Sequence, residues 1–327
     1  MVKKIVLLIS LILSLGLILT ACGTKTGGGN NPPSEPPTNP EYRAHFVAVG
    51  NGGIILHSED GIRWNSAASG TGINLVAIGY GNGRLVAVGE GGSILYSDNG
   101  ETWSVAATKV CDCVLNGVAF GNGVWIAVGD GGYVAKSTDG GNNWTIAIVT
   151  GPHKPLNGVA YGNGLWVAVG NDGTIIRSDN NGNSWTTASS GTTNDLNGVA
   201  YGDQWVAVGD ATVIKSSDGT QWSFFPNQPS DNDIMADVAY GDGLWVAVGV
   251  HFLETGEKAG LIASSHNTEP YTQLDVPFTG VTYGNGTWIT VGADGTIVKS
   301  ANGTEWSSVV SGTDQNLAAV AFRPSSL

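Results

Sequence analysis

Apolar residues in this chain fall in short blocks separated by clusters of Gly, Asn and Asp, and the blocks repeat in a fixed order. The tetrad VAVG, or a close variant, ends at Gly50, Gly89, Gly129, Gly170, Gly209, Gly249 and Gly292, with spacings of 39, 40, 41, 39, 40 and 43 residues. A VAYG-like block begins at Val76, Val118, Val159, Val199, Val238, Val281 and Val320. A third block closes on tryptophan at Trp64, Trp103, Trp144, Trp185, Trp222 and Trp306, and its remaining copy, SSHNTEPY, closes on Tyr271. Self-similarity at a fixed period defines a repeat architecture before any local reading does. Within Leu156 to Ser189 one repeat reads as four strands: LNGVAYG (A), LWVAVG (B), TIIRS (C) and SWTTAS (D). The Asn/Asp/Gly turns between them have hairpin length. No segment beyond the first 22 residues keeps a 3.6-residue period, so helix is expected to be almost absent.

Strand B decides the architecture. Leu165, Trp166, Val167, Ala168 and Val169 are apolar on both faces, whereas a sheet with one wet face alternates. Both faces must be covered, and radially stacked four-stranded blades with a period of about 40 residues cover them. The pattern predicts an all-β, seven-bladed β-propeller over residues 42–327. It opens on a strand B at His45 and ends on a strand A reaching Phe322. The C-terminal strand A is therefore expected to join N-terminal strands B, C and D in one blade and close the ring.

The tryptophan block, S-x-D-x-G-x-x-W, resembles the Asp-box, or bacterial neuraminidase repeat. Ser137-Thr138-Asp139-Gly140-Gly141-Asn142-Asn143-Trp144 matches it in full. Ser58, Asp60 and Trp64 in the first copy, Asp218 with Trp222, and the closing Trp103, Trp185 and Trp306 belong to the same pattern, with Asn99 and Asn302 standing in the Asp position. A short Asx side chain bonds turn backbone, Gly accepts positive φ, and Trp packs on the blade, so these residues are assigned to structure and not to catalysis. Families that share the motif include sialidases, some glucan-cleaving glycosidases, sortilin-like receptors and the photosystem II stability/assembly factor family. The last is the closest in shape, which implies a single seven-bladed propeller that docks partners.

The first 22 residues read as an address. Lys3 and Lys4 precede an apolar run from Ile5 to Leu19, short for a spanning helix. The run ends in Leu19-Thr20-Ala21-Cys22, which resembles the lipobox of bacterial lipoproteins. The resemblance implies a signal peptide over 1–21, cleavage before Cys22 and lipidation of that cysteine; an uncleaved anchor is the alternative. Residues 22–41, rich in Gly, Pro and Asn, then form a tether. The expected location is extracytoplasmic and lipid-anchored: at the outer membrane of a Gram-negative cell, toward which Gly23 leans, or on the outer leaflet of the plasma membrane of a Gram-positive one.

Composition removes function classes. The formal charge is −13, from 14 Lys+Arg and 27 Asp+Glu; losing Lys3 and Lys4 with the signal makes it −15. Such a surface repels nucleic acid, whose recognition needs clustered basic residues. A sialidase needs three arginines around the sugar carboxylate, and Arg43, Arg63, Arg84, Arg177 and Arg323 are too scattered to supply them. The same scarcity separates the chain from the assembly factors, which dock through an arginine patch. His45, His57, His153, His251 and His266 lack metal-ligand spacing, and neither a G-x-S-x-G elbow nor a P-loop occurs. No metal, cofactor or catalytic residue is assigned.

If strands alternate in direction, A–B and C–D turns share one face, and B–C turns and D–A loops share the other. The first is monotonous and the second varies. On the second lie Cys111-Asp112-Cys113, which can form a small ring or remain thiols, the Pro152–Pro155 loop with His153, and Phe224-Phe225-Pro226 with Asp231 and Asp233. The longest insertion, His251-Phe252 to Lys258, lies there too. Loops on a rigid scaffold carry function more often than the scaffold does, so this is the expected binding face. Its B–C turns hold Glu90, Asp130, Asp172, Asp210 and Asp294, a negative rim that would suit a cation or a basic partner. Ordinary Asp-Gly turn chemistry explains the same acids and is the favoured reading. The whole points to a non-enzymatic protein-binding or assembly scaffold, monomeric by default, with an envelope or extracellular protein as partner. A surface protein that binds or hydrolyses glycans is the alternative.

Overall fold

A computed structural model describes residues 45–149, 153–265 and 272–324. The chain divides into two units, Met1–Glu41 and Tyr42–Leu327. The first lies outside the described residues, and with it the expected signal, Cys22 and the tether; so do Arg43, Pro152, His266 and Tyr271.

Seven antiparallel sheets of four strands stand in a ring, with strand A innermost and strand D outermost in each. In blade 4 the strands are Leu156–Gly162, Leu165–Gly170, Thr174–Ser178 and Ser184–Ser189, as the sequence pattern expected. Strand A of blade 1 is Leu317–Phe322, which pairs antiparallel with Phe46–Gly50, so the two ends of the domain close the ring by hydrogen bonds. The other inner strands are Leu75–Gly81, Leu115–Gly121, Leu196–Tyr201, Asp233–Gly241 and Phe278–Gly284, in blades 2, 3, 5, 6 and 7. Blade 4 gains a fifth strand that the pattern does not announce: Ile148–Val149 pairs parallel with Ser184–Trp185 at its outer edge.

The core lies between the blades, which is why strand B does not alternate. In blade 2, Leu85 and Ala87 pack with Val47 and Val49 of blade 1, while Val86 and Val88 pack with Leu115 and Trp125 of blade 3. Blade 4 repeats this, Trp166 and Ala168 facing Ile126 and Val128, and Val167 and Val169 facing Trp205 and Ala207. One strand thus serves two cores. A second device fixes the spacing of the blades. The aromatic near the end of strand A stacks on the Trp of its own strand B, with centroids 4.8–5.2 Å apart in blades 3 to 7. It also lies where the preceding blade's strand-A glycine would carry a side chain. A Cβ on Gly121 would overlap Tyr161, and one on Gly162 would overlap Tyr201; Gly284 stands in the same relation to Phe322 across the closure.

Candidate functional site

The two ends of the ring differ in chemistry. At the end carrying the tryptophan turns, polar groups are spent on the turns themselves. Asp139 accepts from the Ser137 hydroxyl at 2.9 Å and from the Asn143 backbone N–H and side-chain amide at 2.9 and 2.7 Å. Those Asn143 bonds, with help from Ser137, hold its pKa below the usual carboxylate range. Asp60 is lowered by the Arg63 and Ile62 backbone N–H groups, and Asp218 by those of Gln221 and Thr220. Asn99 and Asn302 make the same backbone bonds with an amide oxygen, so the turn needs an acceptor and not a charge. Ser58, Ser97, Ser137, Ser178, Ser216 and Ser300 each accept from the buried glycine N–H of their turn. The indole N–H groups of Trp103, Trp144 and Trp222 donate to the glycine carbonyls of Gly100, Gly141 and Gly219. A carboxylate held ionised by two or three donors is a poor proton donor, so these turns offer no catalytic acid. Arg84 adds an inter-blade tie here, bonding Asp98 at 2.6 Å and the Gly140 carbonyl of blade 3 at 3.1 Å; the Asp98 bond raises its pKa.

At the opposite end, the five acidic turn residues do not form one ring. Glu90, Asp130 and Asp210 occupy the first position after the strand-B glycine, whereas Asp172 and Asp294 occupy the second. That second position is left-handed, with φ of 54° and 52°, and is glycine at the matching Gly52, Gly91 and Gly131. Two of the first-position acids turn inward. Asp130 accepts from the Asn116 amide at 3.0 Å, and Asp210 from that of Asn197 at 3.1 Å. The same amides donate to the Leu156 and Met235 carbonyls of the next blade. Asn157 does likewise, bonding Asn171 and Leu196. These asparagines latch neighbouring blades together, and two rim acids orient the latch. Glu90 bonds Asn74, while Asp172 pairs with Lys154 at 2.6 Å, which raises the lysine pKa. Among the described residues, no three His, Cys, Asp or Glu side chains sit close enough to hold a metal ion.

The loops of this face are ordered more than their sequences suggested. The insertion from His251 to Lys258 is not a free loop: strand B of blade 6 runs to Phe252 and strand C starts at Lys258, with His251 opposite Ala259 and Phe252 opposite Lys258. Blade 6 therefore stands taller than its neighbours as a hairpin. His251 Nδ1 lies 2.6 Å from the buried Asp233 carboxylate, which also accepts the Ser230 N–H and hydroxyl at 2.7 Å. Phe252 lies beneath Lys258, and Phe225 beneath Lys215, packed on the blade 5/6 core. Phe224, 49% exposed, does not lie in the loop the sequence suggested: Ser223–Phe224 is strand D of blade 5, with Phe224 opposite Ile214 on the outer edge of the blade. Cys111 and Cys113 are joined as a disulfide, and their loop lies over the blade 2 turn, where Gly92 N–H donates to the Cys113 carbonyl. Lys109 pairs with Asp112 beside it, lowering the Asp112 pKa.

A feature the sequence reading passed over is the triplet Ser-Gly-Thr at 69–71, 190–192 and 311–313. Each serine hydroxyl bridges the threonine N–H and carbonyl. That carbonyl sits where a Cβ on Gly53, Gly173 or Gly295 would fall. The triplets thus press the D–A loops of blades 1, 4 and 7 onto their own B–C turns. Blades 2, 3, 5 and 6 lack them, and those loops supply the variation. In blade 3 a groove of about 350 Å³ is lined by Tyr133, Val134, Ile146, Ala147, Val149 and His153, with no carboxylate among its walls. Tyr133 and Ile146 there are 39% and 57% exposed, and Ile148, on the added strand of blade 4, is 70% exposed. The shallower grooves at blades 7 and 1, about 690 and 650 Å³, carry no aromatic.

These features define a seven-bladed β-propeller of the kind that presents a variable face on a repetitive frame. Solved structures share the fold. One is YCF48 bound to D1 peptide, 19% identical, covering 73% of this chain and 81% of that one with a TM-score of 0.55. Another is YCF48 from Cyanidioschyzon merolae, at 16% identity, 74% and 86% coverage and 0.53. YjhT matches at 12%, covering 72% and 96% with 0.55. At these identities the likeness is one of fold. No protein-family model and no curated protein matches the chain.

Proposed function

We propose that the chain is a non-enzymatic protein-binding scaffold, anchored through a lipidated Cys22 on the extracytoplasmic side of a membrane, and that its irregular face docks an envelope or extracellular protein. The blade 3 groove carries the reading. The groove is open, the exposed Tyr133 and Ile146 line it, and it lacks the pair of carboxylates that a glycosidase requires beside an aromatic platform. The likeness to YCF48, solved with a bound peptide, supports protein docking by a propeller of this shape. Recognition of a protein surface by rigid aromatic and aliphatic anchors needs no catalytic group.

The test is cross-linked affinity capture with the full chain in detergent from native envelope extract, read for protein and carbohydrate. A discrete protein partner that is lost in Ile146→Ser, Ile148→Ser and Phe224→Ala, and kept in Ile62→Ser on the opposite face, supports the reading. Retained polysaccharide with no protein refutes it and selects the glycan alternative. A radiolabelled-lipid assay comparing the parent with Cys22→Ala tests the anchor separately.

A further inference from the structure

The Cys111–Cys113 disulfide sits where other blades use hydrogen bonds. In blades 1, 4 and 7 the Ser-Gly-Thr triplet holds the D–A loop, and its threonine carbonyl lies 2.3, 2.0 and 2.1 Å from where a Cβ on the B–C glycine would be. The threonine hydroxyl also accepts the N–H two residues on: Thr71 from Ile73 at 3.1 Å, Thr192 from Asn194 at 3.0 Å and Thr313 from Gln315 at 3.1 Å. Each threonine stands four residues before the leucine that opens the next strand A. In blade 2 that position is Cys111, four residues before Leu115, and its carbonyl lies 2.1 Å from where a Cβ on Gly92 would be. Two residues on is Cys113, so the S–S bond spans the step that a hydroxyl and an N–H span elsewhere. Lys109 takes the place of the serine.

As a staple this bridge does little. A disulfide stabilises by restricting the unfolded chain, the effect grows with the loop that is closed, and this one joins cysteines only two positions apart. The ring does not require it, because three blades make the same turn from hydroxyl and amide groups. The blade 2 loop does depend on it. With the S–S bond broken, neither a serine bridge nor a threonine bond is there to hold Cys111 over Gly92, and the Gly92 N–H to the Cys113 carbonyl is left to do so alone. Both cysteines are half-buried against the blade 2/3 core, and Asp112 between them is exposed. The pair is therefore not sealed from solvent, and accessible disulfides are the ones that exchange with thiols.

We propose that Cys111–Cys113 is a thiol–disulfide exchange site, and that its reduction by a thiol unclamps the blade 2 loop from its B–C turn. A thiolate attacks one sulfur, the S–S bond breaks, and the other cysteine leaves as a thiolate. A second thiolate attacks the reductant's sulfur in the mixed disulfide, forms the reductant's own disulfide and frees the first cysteine. Two electrons pass to the pair, and the two thiol protons end on Cys111 and Cys113. In blades 1, 4 and 7 the equivalent hold is made of hydrogen bonds and does not answer to thiols. The inference is independent of what the face binds.

The full chain in detergent is equilibrated with about 10 mM reduced and about 1 mM oxidised glutathione, conditions that leave structural disulfides closed. It is then alkylated, and the peptide holding Cys111 and Cys113 is read by mass spectrometry. More than half of the pair should be alkylated; less than half overturns the proposal. Hydrogen exchange in peptides covering Gly92 and 108–114 should quicken about tenfold on reduction, while that covering 190–194 stays as it was. The melting temperature should fall by no more than about 4 °C. A loop that exchanges no faster when reduced overturns the proposal. So does loss of near-ultraviolet circular dichroism on reduction, which would make the bridge a staple of the fold. Lys109→Ser with Val110→Gly, Cys111→Thr and Cys113→Ile installs the blade 1 turn, and its loop should exchange slowly with or without glutathione. Rapid exchange there refutes the equivalence on which the proposal stands. If that variant does not fold, the glutathione series on the parent decides alone.

Discussion

The tryptophan-turn end of the ring and the B–C end are made from the same repeats, yet only one of them is uniform. At the first, serine, Asx and indole groups bond their own turn, leaving little for a partner to use. At the second, Ser-Gly-Thr clamps hold three D–A loops down and leave the other four free to differ. The contrast shows how a repeat protein separates stability from recognition: the frame is fixed by bonds that recur, and binding is left to loops that do not.

The largest effect should come from removing what both ends share. Truncation after Asp314 deletes Leu317–Phe322, exposes the edge of Phe46–Gly50 and strips the buried Leu317, Val320 and Ala321 from between blades 7 and 2. Each lost large side chain costs about 2–5 kcal/mol. We expect urea unfolding, followed by tryptophan fluorescence, to lose its cooperative transition, and a midpoint equal to the parent's would refute ring closure. Next comes Gly162→Ala, which drives a methyl into Tyr201 and should cost about 1–3 kcal/mol or more by overpacking. An added Cβ at Gly83 meets nothing within 4 Å, so Gly83→Ala should show only the milder cost of its positive φ.

The tryptophan-turn end and the central channel should also answer pH in opposite senses. Asp60, Asp139 and Asp218 have lowered pKa values, so their stabilisation is present above the ordinary carboxylate range and is lost as pH falls. Asp237, on strand A of blade 6 in the central channel, is raised by burial from 3.8 to about 6, so the folded protein holds its proton more tightly; that contribution is complete below the unfolded value and is lost as pH rises through 6. Asp237→Asn should therefore flatten the decline of melting temperature between about pH 4 and 6, and Asp139→Asn should flatten the decline on the acid side. Reversed slopes would show that the charges are misassigned.

The frame was readable because its cause is local and repeated. A strand such as LWVAVG, apolar on both faces, admits few arrangements, and seven copies with one strand displaced from end to end disclose the closure. What escaped reading depends on contacts between repeats. Asn116 and Asn157 look like turn-prone polar residues until the next blade's carbonyl is beside them. The acids Asp130 and Asp172 look alike in sequence but fall on different positions of the turn, one bonded inward and one left-handed. The His251 insertion reads as a loop because Val250-His251-Phe252 is too short to declare itself a strand without Asp233 and Lys258 as neighbours. Asp237 could have been found by aligning the seven A strands, where it alone breaks a column of Gly and Ala.

The smallest expected effect on stability is the most informative about the B–C end. Phe224 pairs opposite Ile214 on an outer strand of two residues and is half exposed, so Phe224→Ala removes little buried area. Trp144, by contrast, is buried and bonds Gly141. Phe224→Ala should change unfolding free energy by no more than about 0.5 kcal/mol, as exposed substitutions do, whereas Trp144→Ala should cost about 3–5 kcal/mol. Partner capture should invert that order per unit of stability lost. Phe224→Ala should release the partner from a chain that melts like the parent, because an exposed aromatic contributes to an interface what it does not contribute to the fold. If capture instead tracks melting temperature across both variants, recognition does not reside at this exposed outer-strand aromatic, and its part in the division of labour is wrong.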